Sequence, residues 1–208
     1  FTVTALPGPQ ISISSPANLS YLSLSPTTVS GTVSDSSATV VINGISTPVA
    51  SGKFSAQIPL AEGPNLRTAT ASRPTGPAAT ASIEVTLDTT PPRVTITNPP
   101  DKFVTFESSI AVAGSVNDIV VGTVNDQQAQ VTVNQAAAQV ANRTFVVASV
   151  PLNLGENAIQ AVGRDRSGNS ATTQITVTRQ APPASRIRVI SGNSQSGAIG
   201  SVLPSPLV

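Results

Sequence analysis

The chain has 208 residues, room for two domains of about 100 residues each, and 10% of it is charged against about 25% in an ordinary globular protein. It contains no Cys, His, Met or Trp, which excludes a Ser-His-Asp triad, a histidine base, a thiol nucleophile, disulfides and Cys/His zinc sites. Net charge is +1, and no part of the chain has the basic footprint that binds nucleic acid or anionic lipid.

The chain starts at Phe1 without an initiator Met, so a processed product or a slice of a longer chain is expected. Phe1-Thr2-Val3-Thr4, followed by Pro7 and Pro9, reads as the last strand of a preceding domain or as linker, over residues 1–8. Beyond it, β-branched residues alternate with polar ones at period two, as in Ile11-Ser12-Ile13 and Ile83-Glu84-Val85. Such alternation marks half-buried strands. Strands are expected near 10–15, 28–34, 38–43, 46–51, 53–60, 65–72 and 79–87. No stretch has a convincing helical period, and Ala136-Ala137-Ala138 is too short to nucleate a helix. No apolar run approaches the roughly 18 residues of a membrane helix, so membrane insertion is not expected.

The chain then repeats itself. Val29-Ser30-Gly31-Thr32-Val33-Ser34-Asp35 matches Val112-Ala113-Gly114-Ser115-Val116-Asn117-Asp118. Val40-Val41-Ile42-Asn43 matches Val131-Thr132-Val133-Asn134, and Phe54 matches Phe145. Pro59-Leu60-Ala61-Glu62-Gly63-Pro64-Asn65 matches Pro151-Leu152-Asn153-Leu154-Gly155-Glu156-Asn157. Two homologous domains follow, over 9–90 and 91–180. The offset between matches grows within Ile119–Asp126, an insertion in the second unit, and again between Phe145 and Pro151. One extra residue inside a strand is the mark of a β-bulge, expected within Val146–Val150. Residues 181–208 read as a linker and the first strand of a further domain.

Short strands in units of this size predict an all-β fold of two tandem seven-stranded antiparallel sandwiches. The expected core of the first is Val29, Val33, Val40, Ile42, Phe54, Ile58, Leu60, Ile83 and Val85. That of the second is Val112, Val116, Val131, Val133, Phe145, Val150, Leu152, Ile159, Ile175 and Val177.

These motifs, together with Asp165-Arg166-Ser167-Gly168-Asn169 before the last strand, resemble bacterial Ig-like domains of the glucodextranase domain-B and broader Big type. The tail Val189-Ile190-Ser191-Gly192-Asn193 resembles the opening of an invasin-type Ig-like domain. The resemblance implies a spacer or binding module of a large secreted or surface-anchored bacterial protein. The first unit departs from the pattern at Arg73-Pro74-Thr75-Gly76-Pro77.

Several residues invite a sharper reading. Ile119, Val120, Val121 and Val124 form an apolar insertion between polar turns, a candidate interaction surface unless it covers its own sheet edge or a neighbouring domain. The Asp165–Asn169 stretch reads as a turn that needs no metal. Linker carboxylates Asp88, Asp101 and Asp118 are the candidates for a cadherin-like calcium site between domains, although they are scattered and form no ligand motif. Arg67 falls at an inward position, where it either snorkels to water or pairs with Glu62. Asn18-Leu19-Ser20 and Asn142-Arg143-Thr144 read as turns rather than glycan acceptors. Ten acids leave a carboxylate pair for glycoside hydrolysis open by count alone, but the single Tyr and absent Trp argue against a sugar-binding cleft.

No catalytic residue, cofactor or metal is assigned. The expected role is a non-enzymatic structural spacer of an extracellular or cell-surface bacterial protein, adhesion-related, whose partners are neighbouring Ig-like domains or adjacent subunits. A protein or glycan ligand stays open. Two alternatives are a filament subunit that exchanges Phe1–Leu6 and Ile187–Val208 as added strands, and a carbohydrate-binding appendage of a secreted enzyme.

Overall fold

The computed structural model describes residues 7–118, 128–183, 199 and 202. The insertion surface Ile119, Val120, Val121 and Val124 lies outside the described residues, as do both terminal segments proposed for strand exchange, apart from Ile199 and Val202. The described residues form strands and turns only, and among them no helix is long and apolar enough to cross a membrane.

The first unit contains β1 (Ile11–Ser15), β2 (Ser20–Leu22), β3 (Thr27–Val33), β4 (Thr39–Ile42), β5 (Ile45–Thr47), β6 (Val49–Ala50), β7 (Lys53–Ile58), β8 (Gly63–Ser72) and β9 (Ala79–Leu87). They build two facing sheets, of order β1-β3-β7-β6 and β2-β9-β8-β4-β5. The second unit repeats the plan with β10 (Arg93–Asn98), β11 (Phe103–Thr105), β12 (Ser109–Asn117), β13 (Ala129–Val133), β14 (Ala136–Ala137), β15 (Gln139–Ala141), β16 (Thr144–Pro151), β17 (Gly155–Asp165) and β18 (Ser170–Arg179). Its sheets run β10-β12-β16-β15 and β11-β18-β17-β13-β14.

The fold is all-β, two tandem Ig-like sandwiches, with more strand segments than the seven per unit that were expected. The first strand of each unit is cut by a buried proline, Pro16 or Pro99, which has no N–H to continue the ladder. Its second half, β2 or β11, crosses to the other sheet and pairs parallel with the last strand. The pairing is therefore not wholly antiparallel. The strand expected over 46–51 is likewise two pieces: β5 pairs with β4 in one sheet and β6 with β7 in the other, with Pro48 between them.

Every residue expected in the two cores is buried. In β3, Val29 and Val33 point inward with Gly31 between them, and in β7 Phe54 does the same. The glycine and the phenylalanine explain each other. A Cβ on Gly31 would stand 2.5 Å from the Phe54 ring and 1.9 Å from the Ser12 carbonyl oxygen. Gly114 meets Phe145 in the same way. The bulge is present in β16: Ile110 pairs with Val150 and Val112 with Val147, so β16 spends one residue more than β12 over that interval.

The shared asparagines serve the backbone. Asn43 and Asn134 stand at turn tips with positive φ. The Asn43 carboxamide accepts from Thr68 N at 2.8 Å, and that of Asn134 from Gln160 N at 2.8 Å. Asn65 accepts from Ala61 N and donates to the carbonyls of Ala61 and Gly63, and Asn157 does the same around Asn153 and Gly155. Gly63 and Gly155 hold those turns at φ of 88° and 90°. The repeated motif therefore encodes the sandwich. What distinguishes the units lies elsewhere.

Candidate functional site

The units meet at the segment Asp88–Pro92, which leaves β9 and enters β10. Its backbone has no loose donor. Asp88 N donates to the Leu22 carbonyl at 2.8 Å, extending the β2–β9 ladder by one residue. Thr89 N donates to Glu62 Oε1 at 3.0 Å, and its hydroxyl to Oε2 at 3.1 Å. Thr90 N donates to Asp88 Oδ1 at 3.0 Å. Pro91 and Pro92 have no N–H to satisfy.

The second unit reaches over this segment with the turn after β17. Asn169 donates from Nδ2 to the Asp88 carbonyl at 2.7 Å and to Asp165 Oδ2 at 2.8 Å. Asp165 Oδ1 accepts from Asn169 N at 2.9 Å, closing the turn. Gly168 supplies the positive φ that the turn requires. Arg166 stacks on Tyr21 of β2, its guanidinium carbon 4.2 Å from the ring centroid, and donates to the phenol oxygen at 3.3 Å.

This arrangement brings Asp88, Asp118 and Asp165 together. Each offers a carboxylate oxygen within 4.8 Å of the others, and all three side chains are buried. Asp88 stands at the end of β9, Asp118 just after β12, and Asp165 at the end of β17. Asp88 is 0% exposed and its Oδ2 accepts no hydrogen bond. Burial, with the charges of Asp118, Asp165 and Glu62 adding to it, pushes the Asp88 carboxyl up to about 6, against the bond from Thr90 N. Ionised carboxylates this close repel by roughly 3 kcal/mol per pair at an effective dielectric constant of about 20.

Two of the three junction carboxylates named from sequence, Asp88 and Asp118, thus lie in the cluster. Asp101 does not: it accepts from Thr176 N at 2.8 Å beside β18. The third member is Asp165, which also caps the turn read from sequence. Internal alignment carried the signal that places it. The counterparts of Asp118 and Asp165 in the first unit are Asp35 and Arg73. There Arg73 bridges to Asp35 at 3.3 Å and also donates to the Pro7 carbonyl. Bonds from the Ser37 hydroxyl and N–H, followed by Arg73, hold the Asp35 carboxyl below its ordinary value. One corner of the fold therefore carries a cation in its chain in the first unit and three acids in the second.

Other sequence candidates resolve simply. Arg67 does not pair with Glu62, which is engaged by Thr89. Its guanidinium donates to the Pro59 and Leu66 carbonyls and to Asn65 Oδ1. Asn18 accepts from Glu84 N, and Asn142 and Arg143 form a turn with positive φ, so both acceptor patterns are turn residues.

Known proteins match this architecture. The family model for glucodextranase, domain B, matches twice, over residues 9–89 and 92–181. Bacillopeptidase F of Bacillus subtilis (strain 168) is 33% identical over 171 residues, 79% of this chain and 11% of that protein. The chain thus spans about a tenth of the length of that relative. Among solved structures, the fibronectin(III)-like modules of Clostridium thermocellum CbhA superpose with a TM-score of 0.53 at 11% identity. That superposition covers 86% of this chain and 99% of the other, and is a likeness of fold. With both repeats matched almost end to end, the chain belongs to the glucodextranase domain B family.

Proposed function

We propose that the chain is a non-catalytic spacer of a bacterial extracellular or cell-surface multidomain protein, setting the distance and direction between the parts it joins. The observation that carries this reading is the joint. Every backbone N–H of Asp88–Thr90 is bonded, two prolines follow, and Asn169 and Arg166 of the second unit grip the linker and β2 of the first. Proline limits the bending of a linker, and bonded donors hold it in one conformation. The match to about a tenth of a protein named as a peptidase supports a module carried within a larger chain. Adhesion is the finer role proposed for it.

Small-angle scattering on the 208-residue chain tests the reading. A spacer gives a two-lobed particle with a single interlobe distance, and the double variant Arg166→Ala, Asn169→Ala broadens that distribution. A wild-type profile already spread over many interlobe distances overturns it. Light scattering on the same sample distinguishes the filament alternative, which requires concentration-dependent growth in mass.

A further inference from the structure

We propose that Asp88, Asp118 and Asp165 bind one hard divalent cation, calcium, which ties the first unit to the second across the joint. The donors are all carboxylate oxygens, the choice of a hard ion, with no nitrogen or sulfur donor to favour a transition metal. Their spacing suits it. Calcium takes oxygens at about 2.3–2.6 Å, so two ligands on opposite sides of one ion stand about 4.6–5.2 Å apart. One carboxylate oxygen from each of the three aspartates lies within 4.8 Å of the other two.

The orphaned oxygen points the same way. Asp88 Oδ2 is buried in a side chain with 0% exposure and has no hydrogen-bond donor, while Oδ1 is engaged by Thr90. A buried carboxylate oxygen without a donor is costly unless a cation or proton meets it. The first unit shows what the corner needs. At the positions of Asp118 and Asp165 it has Asp35 and Arg73, and the Arg73 guanidinium both neutralises Asp35 and reaches the chain entering that unit at Pro7. In the second unit an acid replaces the arginine and Asp88 of the entering chain adds another, so three carboxylates converge where the first unit sets an arginine against an acid. Asn169 orients the Asp165 carboxylate by donating to its Oδ2, and holds the main chain of Asp88 by donating to its carbonyl.

Because Asp88 follows the last strand of the first unit and the other two ligands belong to the second, the bound ion is a clamp between units. That consequence rests on the spacer reading, whereas the binding itself does not.

The test uses the 208-residue chain dialysed against EDTA, then titrated with calcium chloride by calorimetry and followed by thermal unfolding. The expected result is one calcium per chain, a raised melting temperature, and weaker binding of magnesium. Asp88→Asn and Asp165→Asn each weaken calcium binding by about tenfold or more. Asp165→Arg copies the first unit: it abolishes the calcium response and melts, in EDTA, above the wild type in EDTA. Absence of calorimetric binding at millimolar calcium overturns the site, as does undiminished binding in the Asp165→Asn chain. Magnesium bound as tightly as calcium overturns the choice of ion. Scattering measured alongside separates the two claims, since a joint that is rigid in EDTA without any calcium binding retains the spacer while removing the clamp.

Discussion

Gly114 lies under the ring of Phe145: a Cβ built on the glycine would stand 2.5 Å from two ring carbons. It would also stand 2.1 Å from the Thr95 carbonyl oxygen, so the site is closed by backbone on one side and ring on the other. Gly114→Ala is expected to destabilise the second unit by about 3 kcal/mol, at the upper end of ordinary overpacking, because the backbone contact cannot rotate away. Phe145→Leu added to it restores only part of the loss. Urea unfolding of the single and double variants checks both statements, and full rescue by Leu would show that the ring alone sets the constraint.

Asn157 holds its turn with bonds to Asn153 N at 2.8 Å, Asn153 O at 2.8 Å and Gly155 O at 3.0 Å. Its replacement by Ala strands a backbone donor and two carbonyls at once. The expected cost is about 2 kcal/mol. Asn157→Asp keeps the acceptor for Asn153 N but loses the donor, and is expected to fall between wild type and Ala in denaturant midpoint.

Arg67 occupies the place of Ile159, and the two cores differ accordingly. In the second unit the buried apolar residues form one cluster, and Ile159 is a fully buried member of it. In the first, Leu60, Ile83, Val85 and Leu87 form a cluster beside that of Val29 and Phe54, with the partly buried Ile13 packed against both. Arg67→Ile is expected to join them and stabilise the first unit by roughly 1 kcal/mol, the gain in buried apolar area exceeding the lost carbonyl contacts. Ile159→Ala works in the other direction, at about 2–5 kcal/mol. Calorimetric melting of each variant reads the two transitions.

Acid titration in the presence of EDTA gives a further check. The Asp88 carboxyl is raised to about 6 in the folded chain, above its ordinary 3.8. The groups facing it are Asp118, Asp165, Glu62 and the Thr90 N–H. Between those two values the folded state holds more proton than the unfolded, so stability from this group rises as pH falls from 6 toward 3.8, by on the order of 2 kcal/mol. The Asp35 carboxyl, lowered by Ser37 and Arg73, acts oppositely below its ordinary value. Melting temperature in EDTA is therefore expected to climb from pH 7 to about pH 4.5, and Asp88→Asn to flatten that climb. A wild-type melting temperature that falls steadily over the same range contradicts the burial of Asp88.

Much of this was legible in the sequence. Period-two alternation located the strands, and the repeat exposed the core because both copies keep the same inward positions. The bulge in β16 was visible as a change of offset, since a strand cannot absorb an extra residue any other way without turning its side chains over. The sheet switches at Pro16, Pro48 and Pro99 were not legible. A proline ends a ladder, but which partner the chain finds afterwards is decided by neighbours distant in sequence. The carboxylate cluster was half legible for the same reason. Asp88 and Asp118 flag the junction by position, whereas Asp165 looks complete as a turn residue, and its turn does exist. Only its alignment with Arg73 reveals that the same corner has exchanged a base for an acid.

The parallel pairing of β2 with β9 has a mechanical consequence. Ser20, Tyr21 and Leu22 lie beside Val85, Thr86 and Leu87, near the entry and exit of one unit. Two parallel neighbours pulled from opposite ends slide along each other, so the bonds between them bear the load together instead of parting one by one. The same holds for β11 and β18. A chain of such units under tension in flow resists up to the rupture of a whole patch of ladder and then lengthens abruptly, as a fuse does rather than a spring.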